Sequence, residues 1–365
     1  MKNAIYKLYA NCILVKGYAR SLILDLQREA YYFLPNEVGV FFTDGFFNPA
    51  AVSSELNDED FNEVMEYMNY LHDKELVFIV DCDEKDSFPD LPLNWHNPAV
   101  ITNCIIEVSE ANVDSILSCG LEKQLLSVGC YNVELRIAQP VLLVNIKKLY
   151  RLLKRCEIFN LDLMVDVGAD TNVDDERLKR FVKNNISIRV LLLFNRSVNR
   201  IISGKFEGVG GCALVKGELS GKSCGWVDPL YFNINVETYT ESLKHNSCLN
   251  RKMAIDAEGD IKNCPSLPAS YGNIKYNLLK DALNEPGFKK YWNITKDNVA
   301  VCRDCEFRYI CTDCRAFVED PEDAYSKPLK CGYSPYTTEW EDWAMSPLKQ
   351  SAIGFYNLKS LVPNG

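Results

Sequence analysis

No stretch of this 365-residue chain is apolar for long enough to span a bilayer, which takes about 20 residues. Its first residues, MKNAIYKLYANC, contain neither an apolar h-region nor a small-residue cleavage site, so nothing there marks the chain for export. No block of lysine and arginine offsets the acidic balance of 50 Asp+Glu against 40 Lys+Arg, a net charge of −10. Phosphate backbones and anionic lipids would both be repelled, which argues against nucleic-acid and membrane partners. Histidine is scarce, at three residues, and His72 and His96 stand in no pattern. A soluble protein of a reducing cytoplasm is expected. Hydrophobic residues at 47% and aromatics at 11% are ample for the cores of two or three domains.

What the chain has is cysteine. Seven of its fifteen lie between residues 248 and 331: Cys248, Cys264, Cys302, Cys305, Cys311, Cys314 and Cys331. Four of them read C-x2-C-x5-C-x2-C, and Cys331 follows after sixteen residues. Thiolates this close repel one another unless a cation neutralises them, so the spacing implies a metal or a disulfide knot. An odd total and the absence of an export signal disfavour disulfides. Two C-x2-C pairs suit zinc, but ribbon-type sites separate them by roughly 15–20 residues, against five here. Runs with two to five intervening residues suit iron–sulfur cubanes better.

The order Cys248-x10-Gly259-x4-Cys264, then C-x2-C-x5-C, then a lone cysteine, resembles the SPASM domain of peptide-maturing enzymes. Met253 to Pro265 reads as a hairpin turning at Glu258-Gly259-Asp260, and Gly272-Asn273-Ile274 stands where that family has a Gly-Asn-Ile step. One departure is Thr312-Asp313, two residues where the family usually has three. The resemblance implies two 4Fe–4S clusters. Cys302, Cys305, Cys311 and Cys331 would hold the first; Cys248, Cys264 and Cys314 the second. A fourth ligand for the second would come from Cys224, ranked first, or from Cys212, His245 or Asp313; an open iron is the alternative.

The expected fold is α/β in three parts, with 83–99 as a linker containing Pro89, Pro92 and Pro98 and 336–365 as a tail. Residues 1–82 carry three strands (11–15, 21–26 and 30–34), a helix opened by Asn57, and a strand at 76–80. Phe61, Val64, Met65, Met68 and Leu71 form the apolar stripe of that helix. This order resembles the winged-helix-like peptide-recognition element of maturases of ribosomally made peptides, in which a leader adds as a strand to a sheet edge. Taken alone, the pattern also suits a small α+β domain without a ligand.

From residue 100 strands and helices alternate: strands at 100–108, 132–137, 161–167 and 186–194, helices at 113–127, 144–155 and 174–183, and a last strand at 231–236. Such alternation builds a parallel sheet covered by helices. Lying ahead of a SPASM domain (246–335), segment 100–245 is similar to a radical-SAM partial barrel, yet a degenerate one. The C-x3-C-x2-C triplet that holds the SAM cluster occurs nowhere in the chain, and Cys104 stands alone on the first strand. Ile137-Ala138-Gln139-Pro140 replaces the family's Gly-Gly-Glu turn. No nucleotide site is expected at Gly217 to Ser223, which falls one residue short of a P-loop. Cys82, Cys104, Cys119, Cys130 and Cys156 read as buried thiols; Asp256, Glu258 and Asp260 read as exposed turn residues.

The whole resembles the grasp-with-spasm maturases, encoded beside an ATP-grasp ligase that crosslinks a precursor peptide. That implies an iron–sulfur protein binding the precursor and assisting the ligase, without SAM radical chemistry. A redox or Lewis-acid enzyme using an open cluster iron, and a zinc-stabilised scaffold, are the alternatives.

Overall fold

A computed structural model describes residues 4–138, 143–155, 160–168, 174–203 and 210–362. The chain divides into two compact units, each assembled from separate segments: residues 1–95, 226–247 and 293–365 form one, and 96–225 with 248–292 the other.

In the first unit, Cys12–Lys16, Ser21–Asp25 and Ala30–Leu34 form an antiparallel meander in that order. A second three-stranded sheet centres on Ala4–Leu8, between Phe46–Phe47 and Val77–Asp81. The strand at 4–8 was not anticipated; its five residues include Lys7, which is buried against Asp90. Helix Asp58–Asp73 starts as expected: Asn57 accepts the Asp60 amide at 2.9 Å, and Asp58, Glu59 and Asp60 fill the first turn, where the dipole favours anions. Its stripe buries Val64, Met68 and Leu71.

All five residues of Ser21–Asp25 are buried, because side chains alternate across a strand and both faces are covered. Ile23 joins Leu34, Phe47, Met68 and Leu71 in one core. Leu22 and Leu24 join Phe307, Ile310, Cys311, Cys331 and Tyr333 in another. The meander and the cysteine loops thus share a core. The turn at Lys16-Gly17 reinforces this: the Tyr18 amide donates to the Asp304 carbonyl at 2.8 Å, and Arg308 donates to the Lys16 carbonyl at 2.7 Å.

The second unit holds an eight-stranded sheet, in the order Arg200–Ser203, Gly211–Lys216, Ile188–Arg196, Asn160–Asp166, Asn132–Ile137, Asn103–Val108, Lys252–Ile255 and Ile261–Lys262. The six inner strands run parallel and the two edge strands antiparallel. The expected alternation is present, with two differences. Helix 113–127 is two helices, Val113–Ser118 and Leu121–Ser127, because Gly120 takes φ +68° between them. Residues 231–236, expected as a strand and belonging to the first unit, instead run from the end of the 3-10 turn Pro229–Tyr231 through irregular chain to the start of helix Val236–Ser242. Asp228 and Asn235 each cap an amide two or three residues on, and this capping outweighs the aromatic and β-branched composition. Among the described residues no helix is long and apolar enough to cross a membrane.

Candidate metal centre

In the first unit the C-x2-C step folds as one 3-10 turn, Cys302–Asp304, with the Cys305 amide donating to the Cys302 carbonyl at 3.0 Å. Cys311 closes a further turn on the Phe307 carbonyl at 3.1 Å, and Cys331 turns on Pro328. All four expected ligands of the first group, Cys302, Cys305, Cys311 and Cys331, line one narrow cleft with Lys296, Phe307, Tyr333 and Trp340. Lys296 is buried and donates to the Cys311 sulfur at 3.0 Å and the Thr312 carbonyl at 3.1 Å. Burial pushes Cys302 up to about 12 and raises Cys305 and Cys311 as well, since a thiolate loses its hydration there. Burial works against the charge on Lys296 too, while Cys311 and Cys302, as thiolates, favour it. Cys305 is followed by buried Glu306, which pairs with Arg20 at 2.7 Å and accepts from the Tyr333 hydroxyl.

In the second unit the hairpin forms where expected. Gly259 takes φ +87° at the turn, and Asn273 donates to the Glu258 carbonyl at 3.1 Å and to Asp260 at 3.0 Å. The Ile274 amide reaches the Gly259 carbonyl at 2.8 Å. The Gly-Asn-Ile step therefore clasps the turn. Asp256 corrects the expectation of exposure: it is buried, accepts the Glu258 and Asp260 amides, and pairs with Lys262 at 2.7 Å. Glu258 is exposed. Buried Asn263 donates to the Leu249 carbonyl at 3.0 Å and the Lys252 carbonyl at 2.7 Å, tying the Cys248 turn to the strand that leads into Cys264.

Here again a lysine attends the thiols. Lys252 donates to the Cys248 sulfur at 3.5 Å, and its charge is held by Cys248, Cys264 and Cys224 together against the effect of burial. Burial pushes Cys264 up to about 12, with Cys248 adding to the rise and Cys224 contributing further. Cys224 thus lies within electrostatic reach of this pair. The other candidate ligands are engaged elsewhere. Cys212 is buried in the hydrophobic core of the parallel sheet, and His245 shares its Nδ1 with Asn293 at 2.9 Å. Asp313 has one oxygen on Arg315 at 2.5 Å and the other on Asn246 at 2.7 Å. Cys314 is buried and belongs to the first unit.

Lys296, Lys252, Glu306 and Asn263 are not legible in the sequence, because a single lysine, glutamate or asparagine between cysteines carries no spacing signal. Of the remaining cysteines, Cys104 and Cys130 are buried as expected, Cys119 is half-buried, and Cys82 is exposed, on a polar turn after its strand. Cys156 lies outside the described residues. None of the fourteen described cysteines forms a disulfide. Among the described residues no three His, Cys, Asp or Glu side chains converge closely enough to hold a single ion. The donor set of the cleft, four soft thiols, suits a thiolate-bound metal, zinc or an iron–sulfur cluster.

The model of SPASM, an iron–sulfur cluster-binding domain, matches residues 247–306, which implies iron–sulfur cluster binding. The matched span contains Cys248, Cys264, Cys302 and Cys305, while Cys311, Cys314 and Cys331 follow it. No curated protein and no solved structure matches the chain.

Proposed function

We propose that this is a SPASM iron–sulfur protein that binds a ribosomally made precursor peptide and assists its maturation beside an ATP-grasp ligase in the cytoplasm. The observation that carries the reading is the gathering of Cys302, Cys305, Cys311 and Cys331 around one cleft, with Lys296 on the Cys311 sulfur. In this reading these four thiolates hold one 4Fe–4S cluster. In the second unit Cys248 and Cys264 would hold a second, with Cys224 as a further ligand, the candidate whose charge acts on both Cys264 and Lys252; Cys314, expected as its third thiolate, belongs to the first unit. Bound clusters supply electron transfer or rigid crosslinking of the loops.

The chain's own residues set the conditions. Lys296 and Lys252 offset thiolate charge, Phe307, Tyr333 and Trp340 keep the first site apolar, and the hairpin clasp positions Cys264. The absence of C-x3-C-x2-C from the sequence supports a role without SAM radical chemistry. Leader recognition falls to the N-terminal winged-helix-like element. Ala30–Leu34 is an edge of its meander, open to strand addition. An apolar groove lined by Val38, Phe41, Leu56, Val64 and Tyr67 lies between the segment after that strand and helix Asp58–Asp73.

Mass spectrometry of the precursor incubated with this protein alone, and then with the ligase added, tests the role. No mass change is expected with this protein alone, and faster crosslinking with both. A mass change with this protein alone would show turnover of its own.

A further inference from the structure

A second cleft, of about 660 Å³, opens in the first unit between residues 226–231 and 340–343. Its walls combine Trp226, Tyr231, Trp340 and Trp343 with three carboxylates, Asp228, Glu341 and Asp342, against one lysine, Lys330. The lysine is buried, with its amine 5.4 Å from the Trp226 ring centre and 4.7 Å from that of Phe317, and the three carboxylates outnumber it. Trp226, Leu230, Tyr231 and Trp340 remain 36%, 89%, 60% and 40% exposed, a concentration of uncovered aromatic surface in an acidic setting.

The cleft is firmly built. Trp226 meets Trp343 edge-on at 5.4 Å. Strand Tyr333–Ser334 pairs with Glu339–Trp340, and at Gly332 an added Cβ would stand 1.9 Å from the Glu341 carbonyl oxygen. Trp340 and Val227 line this cleft and the cysteine cleft alike. Trp340 is therefore a shared wall, its inner side packed at 4.9 Å on Tyr333.

Tryptophan faces attract cations through the ring quadrupole, and carboxylates around them add charge complementarity. At this size the cleft lies within the 300–1,000 Å³ usual for a ligand site, room for two or three side chains of a bound segment. We propose that it binds a lysine- or arginine-bearing, aromatic-rich segment of a peptide, with the cationic side chain against Trp226 and Trp340 and the carboxylates of Asp228, Glu341 and Asp342 as counter-charges. That the occupant is a peptide rests on the function proposed above. The cleft would then hold the body of the substrate beside the cysteine site, apart from the leader.

The test uses the full-length, anaerobically iron-loaded protein and two capped hexapeptides. One alternates phenylalanine with lysine; the other has norleucine in place of lysine. Binding is followed by tryptophan fluorescence. The lysine peptide is expected to bind at least about five-fold more tightly, and the difference should vanish in Asp228→Asn/Asp342→Asn. Asparagine retains the acceptors that cap Leu230 and Ala344, so the fold survives, as circular dichroism would verify. Trp340→Ala should weaken both peptides. Equal binding of the two, binding of neither, or a lysine preference unchanged in the double variant would overturn the proposal. Binding of a labelled leader, measured separately, should be untouched by Asp228→Asn/Asp342→Asn. Failure of the leader to bind even the unaltered protein counts against the recognition reading, and the lysine–norleucine comparison still decides the cleft.

Discussion

Lys296 and Lys252 place one ammonium against each group of thiols, at 3.0 Å from Cys311 and 3.5 Å from Cys248. Hydrogen bonds and positive charge at cluster sulfurs favour the reduced, more negative state. Replacing Lys296 by Met should therefore lower the reduction potential of the first cluster. A charge-assisted hydrogen bond contributes about 1.5–3 kcal/mol, on the order of 100 mV for one electron; a potentiometric titration that finds no shift would remove Lys296 from this role. In metal-free protein, burial holds Cys302 and Cys264 up at about 12. Both stay protonated through the neutral range, and their thiolate fraction grows tenfold with each pH unit. Alkylation of these two cysteines, followed by peptide mass spectrometry, should rise about tenfold per unit between pH 7 and 9.5 without levelling. Levelling near pH 8.5 would mean ordinary, solvated thiols. The cysteines were legible because their chemistry is written in short-range spacing. The lysines were not, since their role depends on where a loop folds, and the burial of Asp256 depends on its pairing with Lys262, which no local pattern announces.

Among the elements, the turn at Lys16-Gly17 links the N-terminal meander to the cysteine loop. A Cβ on Gly17 would stand 2.5 Å from the Arg20 carbonyl oxygen and 2.9 Å from the Glu306 Cβ. Gly17→Ala should cost about 1–3 kcal/mol through overpacking and lower the iron retained on dilution; unchanged thermal unfolding would show that the turn can yield. Helix Asp58–Asp73 could be read from the sequence because hydrophobic period and N-cap agree there, and strand Asn132–Ile137 because of its apolar, β-branched composition. Residues 231–236 could not, because the caps Asp228 and Asn235 outweigh strand propensity. Met68→Ala, emptying a fully buried position, should lower stability by about 2–5 kcal/mol in denaturant titration, with the iron content of the folded protein unchanged.

At the scale of the whole molecule, the linear order of parts seen in the sequence is woven into two units whose segments alternate along the chain. Local pattern does not reveal such weaving. Lys252–Ile255, next to Cys248, pairs in parallel with Asn103–Val108 about 150 residues earlier, Met253 opposite Cys104, and period-2 patterning leaves a strand's partner unspecified. The central claim is that the thiols of residues 248–331 hold iron and sulfide. It is tested most directly by iron, zinc and acid-labile sulfide analysis of anaerobically prepared protein beside the Cys302→Ser/Cys311→Ser variant. About eight irons and eight sulfides per chain are expected, falling by half in the variant. A colourless protein with stoichiometric zinc and no sulfide would contradict the account.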